Sequence, residues 1–332
     1  MLRAMAVLVT GATGFVMANL VHHLAASGHD VVAADLKAPD APMARFLDAT
    51  PGKVSIRSLD VTDRAAVRAL VGDVRPERAV IGAAITAIPP EAERARFVET
   101  VEVNVLGALH TLAALAEAGV RRVVSISSGS VYGRRPSLAP ISEDDLGDPQ
   151  ALYPMTKHAA DLLARRFADV HGVDLAVARL ASPFGPFERD TGSRPLLSPI
   201  AVWTAAARQG QPVVVQGDAR DARDAVYVAD IASGIAAILL ADRLGHDAYN
   251  VGWGRGATAE ETVAALARLV PGLRVEWRPD QPSPWTGAGN VARGPLRIDR
   301  LQRDLGWAPR YDLDSGLAAY LAWSRDHASQ RA

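Results

Sequence analysis

The first half of the chain alternates short apolar runs with longer amphipathic stretches. The apolar runs are rich in valine and isoleucine and lack polar alternation, which is typical of strands buried on both faces of a parallel sheet. The strands predicted from these runs are Ala6–Val9, Val31–Ala34, Val54–Leu59, Ala79–Ala83, Val123–Ser127 and Leu175–Arg179.

Helical patterns fill most of the gaps between these runs. Phe15–Ala26 is followed by Gly28, which suits a left-handed helix cap, and Asp63 is placed to cap a helix over Asp63–Val71. A long helix is predicted over Glu91–Glu117, and another begins at the sequence YPMTK. This alternation predicts an α/β fold with a doubly wound, Rossmann-type parallel sheet.

The pattern changes after about residue 183, where SPFGPFERDTGSRPLLSP predicts a loop. The segments that follow are helices at about 198–209, 228–242, 258–269 and 313–327, strands Val213–Val215, Ala248–Val251 and Arg274–Trp277, and a loop over Pro279–Gly294. We therefore expect a Rossmann domain at 1–182 and a smaller C-terminal α/β substrate lobe at 183–332. Some segments of the lobe are expected to return to the sheet.

Composition narrows the possible functions. A hydrophobic fraction of 49% and a charged fraction of 22% indicate a globular protein, and a net charge of −1 gives no reason to expect a nucleic acid or an acidic membrane as partner. The chain has no cysteine, which excludes disulfides and thiolate sites and fits a cytoplasmic protein. No uninterrupted apolar run reaches the ~20 residues of a membrane span, and no metal site is predicted.

The sequence VLVTGATGFVMANL follows the first strand and opens the first helix. Gly11 and Gly14 allow a tight turn and a close backbone approach, so that the helix N-terminus faces a pyrophosphate, and Ala18 is small enough to pack on the sheet. Asp35 at the end of the second strand favours the ribose hydroxyls of NAD over the phosphate of NADP, although Lys37 weakens this inference. Asp60 either reaches the adenine or serves as a turn residue.

A second group of residues follows the fifth strand. Ser127 and Ser128 end the strand in VVSISSGSVYG, at the edge where ligands of doubly wound sheets bind. Tyr153 and Lys157 are four residues apart, so they share one helix face. A neighbouring ammonium and a cationic nicotinamide both favour the phenolate, which makes Tyr153 a candidate acid/base for interconverting an alcohol and a carbonyl.

At this point the chain resembles a known family. TGATGFVMA, DVTD, VNVLGALHTL, SSGSVYG, YPMTK, SPFGP, RDAVYVADI and LGWAP occur in the order seen in extended short-chain dehydrogenases/reductases, the NAD-dependent epimerase/dehydratase group. The resemblance implies that Tyr153 is the acid/base, that Ser128 is its partner, and that Lys157 binds the nicotinamide ribose and lowers the tyrosine pKa. It also implies a sugar-like substrate and a homodimer formed by the helices at 91–117 and 151–171.

The residues themselves and the resemblance together give the expected binding residues for each ligand. The expected NAD-binding residues are Gly11, Thr13, Gly14, Phe15, Val16, Asp35, Asp60, Val61, Ala83, Ala84, Asn104, Tyr153, Lys157 and Pro183. The expected substrate-binding residues are Thr86, Ser128, Ser130, Ser182, Arg189, Arg194 and Arg223.

The chain departs from the family pattern in ways that bear on the substrate. Gly129 and Ser130 stand where sugar-nucleotide dehydratases carry an Asp-Glu pair, and Ser182 replaces a common asparagine. Arg189 and Arg194 suit capture of a carboxylate or phosphate, or belong to a solvated loop. Three hypotheses follow: a redox epimerase of a sugar or sugar nucleotide, a dehydrogenase of a small sugar acid or sugar phosphate, and a dinucleotide sensor without activity. The intact Ser128, Tyr153 and Lys157 disfavour the sensor.

Overall fold

The computed structural model describes residues 6–86, 89–133, 135, 137–282 and 293–326. The strands are β1 (Val7–Thr10), β2 (Val31–Asp35), β3 (Val54–Ser58), β4 (Arg78–Ile81), β5 (Arg122–Ser128), β6 (Leu175–Leu180), β7 (Ser182–Phe184), β8 (Val213–Gln216), β9 (Ala222–Arg223), β10 (Ala225–Tyr227), β11 (Ala248–Val251), β12 (Ala257–Thr258) and β13 (Val275–Arg278). The α-helices are α1 (Phe15–Ala26), α2 (Ala41–Asp48), α3 (Arg64–Val74), α4 (Pro90–Ala95), α5 (Phe97–Val101), α6 (Ala108–Glu117), α7 (Leu152–His171), α8 (Pro199–Arg208), α9 (Val228–Leu240), α10 (Ala259–Leu269), α11 (Asp299–Leu305) and α12 (Leu313–Asp326).

A seven-stranded parallel sheet forms the centre of the molecule, in the order β11-β6-β5-β4-β1-β2-β3. Strand order reverses between β1 and β4, which pair with Val9 opposite Val80. In doubly wound sheets the crevice at this reversal, at the carboxyl ends of the strands, is where ligands bind. The predicted Rossmann-type α/β fold is confirmed.

Successive residues of β1 show why the strands are apolar throughout. Val7 and Val9 pack into one core with α1 and α9, whereas Leu8 packs into a second core with α3, α6 and α7. Side chains alternate between the two faces of a strand, so a strand covered by helices on both sides needs an apolar residue at each position.

The C-terminal lobe has a core of its own. Phe184, Trp203 and Tyr227 are buried there together with residues of α10 and α12. The intervening segment α9–β11 instead belongs to the central sheet: β11 pairs with β6, and α9 packs against α1. β7 follows β6 directly and pairs with β10. The chain therefore passes from the central sheet into the lobe at this point.

Local capping explains several helix boundaries. The Asp63 carboxylate accepts the N–H groups of Ala65 and Ala66 at 2.9 and 3.0 Å, and Gly28 beyond α1 has φ +85°. Thr258 and Glu261 form a reciprocal capping box at α10. The predicted roles of Asp63 and Gly28 are confirmed.

Some predicted elements were wrong in detail. The helix expected over Glu91–Glu117 is broken at Arg96 and contains a π-helical segment, Glu102–Gly107, between α5 and α6. β3 lies at the sheet edge and is largely exposed, so it is not buried on both faces. The loop predicted from Ser182 begins as a strand because parallel pairing with β10 overrides its proline.

One helical run in the described part of the chain, Phe97–Glu117, is 21 residues long and is long and apolar enough, by length and composition alone, to cross a membrane. It is not an uninterrupted apolar run, because Glu99, Glu102 and Asn104 lie within it. Its α6 portion packs on the sheet beside α3 and α7, which is the setting of a core helix.

Candidate active site

A cavity of about 850 Å³ opens at the carboxyl ends of the central strands and extends towards the C-terminal lobe. Every site residue predicted from the sequence except Asn104 lines it. The fold therefore brings the glycine loop, the Ser128–Tyr153–Lys157 group and the arginine-bearing loop after β7 to one continuous surface.

The glycine loop forms a tight cradle at one end of the cavity. Gly11 has φ +69°, and a Cβ at this position would lie 2.6 Å from backbone atoms of Ala83. Gly14 caps α1 without any side-chain hydrogen bond, so no side chain of the loop covers the first amides of the helix. An unobstructed helix N-terminus beside close-packed backbone fits the pyrophosphate of a dinucleotide.

The carboxylate of Asp35 lies beside this cradle. It accepts the Thr13 N–H at 3.0 Å and the Lys37 N–H at 3.2 Å, and the Lys37 ammonium is directed elsewhere, to the Thr191 carbonyl at 3.0 Å. An acidic group with its neighbouring lysine engaged in this way fits a ribose diol better than a phosphate. Asp60 accepts the N–H and hydroxyl of Thr62, as in a turn, while also lining the cavity.

Asn104 lies outside the cavity wall and organises it from behind. Its Oδ1 accepts the Ile85 N–H at 2.8 Å. Its Nδ2 donates to the Ile85 carbonyl at 2.9 Å and to Thr156 Oγ1 at 3.0 Å. It thereby fixes the loop after β4 against α7, the helix that carries Tyr153. The π-helical segment presents this side chain, in keeping with the frequent use of π-bulges at functional sites.

Tyr153 and Ser128 meet at the middle of the cavity. Burial raises the pKa of Tyr153, and the Ser128 hydroxyl and the charges of Arg194 and Arg293 oppose that rise. Ser128 Oγ accepts the Ser130 N–H at 3.1 Å and the Ser130 hydroxyl at 2.9 Å, which fixes its position. The charges acting on the phenol are thus those of two arginines, and the predicted effect of Lys157 on its pKa stays a prediction.

Lys157 is buried one helical turn beyond Tyr153. Burial lowers its pKa to about 8, and Asp161, a further turn along α7, opposes this. Asp161 also accepts Arg179 Nε at 2.8 Å in a buried ion pair, and Arg179 donates to Tyr132 Oη at 3.0 Å. This network ties the reactive face of α7 to β6.

The remaining predicted residues split into two sets. Ser182, Pro183 and Thr86 line the cavity, and Arg223 is a buried wall residue whose pKa burial lowers to about 9. Arg189 instead pairs with Asp40, the N-cap of α2, at the end of the cavity beside Asp35. Arg189 and Arg194 therefore have different ion-pair partners, Asp40 and Glu188.

Sequence reasoning missed two features of the cavity. Arg293 lines it beside Tyr153, yet lies in a segment predicted only as a loop. Residues 189–194, which we call the strap, are hydrogen-bonded to the Rossmann domain through three backbone carbonyls. The Thr191 carbonyl accepts from the Lys37 ammonium, the Ser193 carbonyl accepts the Thr86 N–H at 2.9 Å, and the Gly192 carbonyl accepts from Arg96 at 2.6 Å. No periodic or motif signal marks such contacts, which join residues far apart in sequence.

The described residues contain no group of three or more histidine, aspartate or glutamate side chains that could hold a metal ion. His22 stacks on Phe46, with ring centres 3.9 Å apart, and burial lowers its pKa to about 4. These contacts show that the His22 ring packs in the protein interior.

Comparison with known proteins adds independent findings. A model of the NAD dependent epimerase/dehydratase family matches residues 7–252. A UDP-glucose 4-epimerase of Mycolicibacterium smegmatis is 30% identical over 97% of this chain and 99% of its own length. A dTDP-glucose 4,6-dehydratase of Xanthomonas campestris is 26% identical over 95% of this chain and 92% of its own length.

Solved structures are similar over both parts of the molecule. A UDP-glucose-4-epimerase from Stenotrophomonas maltophila, with bound NAD and formylated UDP-arabinopyranose, superposes with a TM-score of 0.84 at 26% identity, over 99% of this chain and all of that one. MoeE5 in complex with UDP-glucuronic acid and NAD gives a TM-score of 0.80 at 29% identity, over 97% of this chain and 99% of that one.

Proposed function

The chain belongs to the NAD-dependent epimerase/dehydratase family, and on that premise we propose that it is a redox epimerase that inverts a hydroxyl-bearing carbon of a sugar or sugar nucleotide while holding its NAD. The observation that carries this proposal is the single cavity that joins the glycine cradle to Ser128, Tyr153 and Lys157.

The residues of the chain divide the work of such a reaction. Tyr153 in its phenolate form takes the proton of the substrate hydroxyl, and Ser128 donates a hydrogen bond to the same oxygen. Lys157 holds the nicotinamide ribose and, with Arg194 and Arg293, supplies positive charge that favours the phenolate. A bound NAD would supply reversible hydride transfer at that carbon, and the glycine cradle and Lys157 would hold it there. Tyr153 then gives the proton back.

The same cavity disfavours dehydration. Loss of water from a sugar needs an acid and a base beside the tyrosine, but Ser130 is hydrogen-bonded to Ser128, and Gly129 is packed so closely that an added Cβ would lie 3.1 Å from Leu296. Neither position offers a carboxylate. The strap lines the cavity and is bonded to Lys37, two residues after Asp35, which supports a cofactor that is retained between turnovers.

A second candidate is an NAD-dependent dehydrogenase of a small sugar acid. Arg194 favours it, since this arginine lines the cavity near Tyr153 and could bind a carboxylate. A dehydrogenase would use the same Ser128, Tyr153 and Lys157 but exchange its cofactor at each turnover.

We also propose a homodimer that acts in the cytoplasm. Apolar side chains are exposed on α5, the π-helical segment and α7: Phe97, Val98, Leu106, Met155, Leu162, Leu163 and Val170. The chain's lack of cysteine supports a reducing compartment.

Product analysis tests the reaction type. The purified protein is incubated with UDP-glucose or UDP-galactose, the sugar products are separated, and absorbance of reduced nicotinamide is followed. We expect interconversion of stereoisomers without net reduction of NAD. A stoichiometric rise in reduced cofactor would replace the epimerase with the dehydrogenase, and a keto-deoxy sugar product would show dehydration.

A further inference from the structure

Ser127 is a residue of the cavity wall that the proposed reaction does not use. It precedes Ser128 at the end of β5 and is only 4% exposed. The residue lines the cavity, and its hydroxyl has no hydrogen-bonding partner among the described residues. A buried hydroxyl without a partner costs free energy, so its presence beside the reacting groups calls for a ligand or side chain that uses it.

The Ser127 side chain lies on the face of the sheet that α7 covers. Side chains alternate along a strand, and Val123, four residues earlier on β5, packs in the same core as Ala164 of α7. The residue opposite Ser127 on β6 is Arg179, whose Nε donates to Asp161 of α7 at 2.8 Å. Ser127 therefore faces the helix that carries the reactive side chains.

Lys157 lies on α7 one helical turn from Tyr153 and one turn from Asp161, is buried, and lines the same cavity. Its ammonium makes no hydrogen bond with the residues that the structure describes. The Asp161 carboxylate acts on it by charge, because the two carboxylate oxygens already accept Arg165 Nε at 2.9 Å and Arg179 Nε at 2.8 Å. The lysine thus needs acceptors from elsewhere, since a buried charge is costly unless it is hydrogen-bonded.

The number of donors on an ammonium leaves one of them for the protein. An ammonium has three N–H groups, and a ribose diol offers two hydroxyl oxygens, so a lysine that holds the nicotinamide ribose has one donor left over. Two other hydroxyls of this region are already engaged. Thr156 Oγ1 accepts from Asn104 at 3.0 Å, and Ser128 Oγ accepts the N–H and hydroxyl of Ser130. The hydroxyl of Ser127 has no such bond.

We propose that Ser127 is a positioning residue for Lys157: with NAD bound, its hydroxyl accepts the third N–H of the ammonium and so directs the other two to the ribose. The proposal rests on the role given to Lys157 in the proposed function, and it adds a residue that acts on the cofactor only through that lysine. The buried hydroxyl is then kept for binding, at the expense of the stability of the cofactor-free protein.

Two measurements on Ser127→Ala test this without depending on turnover. NAD affinity, measured by calorimetry, should fall about 10-fold, the lower end of what a hydrogen bond to a charged group contributes. Urea unfolding of the cofactor-free protein should show no loss of stability, because the variant removes a buried hydroxyl that has no partner. A lower stability with unchanged NAD affinity would mean a merely structural role and would overturn the proposal.

A double-mutant cycle with Lys157→Met shows whether Ser127 acts through the ammonium. In the Lys157→Met protein, Ser127→Ala should change NAD affinity by less than about twofold, because the bond it would break is already gone. The same loss in both backgrounds would mean that Ser127 contacts the cofactor itself, and the proposal would be wrong. Ser125→Ala is the matched control: this serine is buried on the same face of β5 but does not line the cavity, so NAD affinity should not change.

The cycle also separates this proposal from the proposed function. If Lys157→Met leaves NAD affinity unchanged, the role of the lysine fails and that of Ser127 fails with it. If Lys157→Met weakens NAD binding but Ser127→Ala does not, only the role of Ser127 is wrong and the epimerase stands. Coupling between Ser127 and Lys157 in a protein that proves to be a dehydrogenase would support the positioning role while the epimerase fails.

Discussion

Tyr153 is the residue on which the proposed chemistry depends most directly. Removing its hydroxyl leaves the aromatic ring, and so the packing of α7, in place. We expect Tyr153→Phe to lower turnover by about 10²- to 10⁴-fold, the usual contribution of acid/base catalysis, and to leave the NAD dissociation constant within a factor of about two. Steady-state kinetics with fluorescence titration of NAD measure both. Turnover close to that of the wild type would remove Tyr153 from the mechanism.

Lys157 gives the site a pH dependence. Burial lowers its pKa to about 8, so the ammonium that holds the ribose is lost as pH rises through that value. NAD affinity should therefore fall above about pH 8, and Lys157→Met should bind weakly at every pH. The folding stability of the cofactor-free protein changes in the opposite direction. An unfolded lysine stays protonated up to its ordinary pKa of about 10.4, so the contribution of Lys157 to the free energy of unfolding rises with pH between about 8 and about 10.4.

Titrations of NAD at a series of pH values, with urea unfolding of the cofactor-free protein alongside, check both directions. A flat NAD-affinity profile in the wild type would contradict the role given to Lys157.

At the scale of elements, the loop between β1 and α1 shows how a strained turn creates a binding surface. In Gly11→Ala the new methyl would meet the Ala83 backbone at 2.6 Å, at φ +69°. We expect a loss of about 2 kcal/mol or more in stability and little remaining NAD binding. Gly28→Ala is the matched control, because φ there is +85° but nothing lies within 4 Å. It should cost about 1 kcal/mol and leave NAD affinity intact.

Thermal unfolding and NAD titration of the two variants make the comparison. If Gly11→Ala bound NAD as well as Gly28→Ala does, the glycine cradle would not be the pyrophosphate site.

The strap makes a separate prediction about kinetics. Arg96→Ala removes the bond to the Gly192 carbonyl, and Lys37→Ala removes the bond to Thr191. Each should speed NAD dissociation by about fivefold, equivalent to about 1 kcal/mol for one lost hydrogen bond. Arg94→Ala, at an exposed position of α4 two residues before Arg96, should have no effect. Stopped-flow displacement of NAD measures the rates, and unchanged rates would show that the strap does not retain the cofactor.

Much of the element level was predictable because each strand of the central sheet needs apolar residues on both faces, and because Gly11, Gly14 and Asp63 mark turns and caps by local chemistry. The contacts of the strap and of Arg293 were not predictable, since they join segments far apart in the chain. Asn104 was predicted to bind NAD directly, but it lies behind the Ile85 loop in a π-helical segment that the pattern of a continuous helix did not predict.

At the scale of the whole molecule, the exposed apolar stripe of α5 and α7 predicts association. Leu162 is 48% exposed on α7, away from the cavity, so Leu162→Glu should produce a monomer that still binds NAD. Leu146→Glu, at an exposed leucine outside these helices, should remain dimeric. Sedimentation velocity at micromolar concentration tests this, and a monomeric wild type would rule out the proposed dimer.

The central claim is that NAD stays in the cavity and is restored at each turnover. The direct measurement is the nucleotide content of freshly purified protein, extracted by denaturation before and after incubation with substrate. We expect close to one NAD per chain, oxidised at both times, and turnover without added cofactor. Protein that is free of nucleotide, and that reduces added NAD as it consumes a sugar acid, would contradict it.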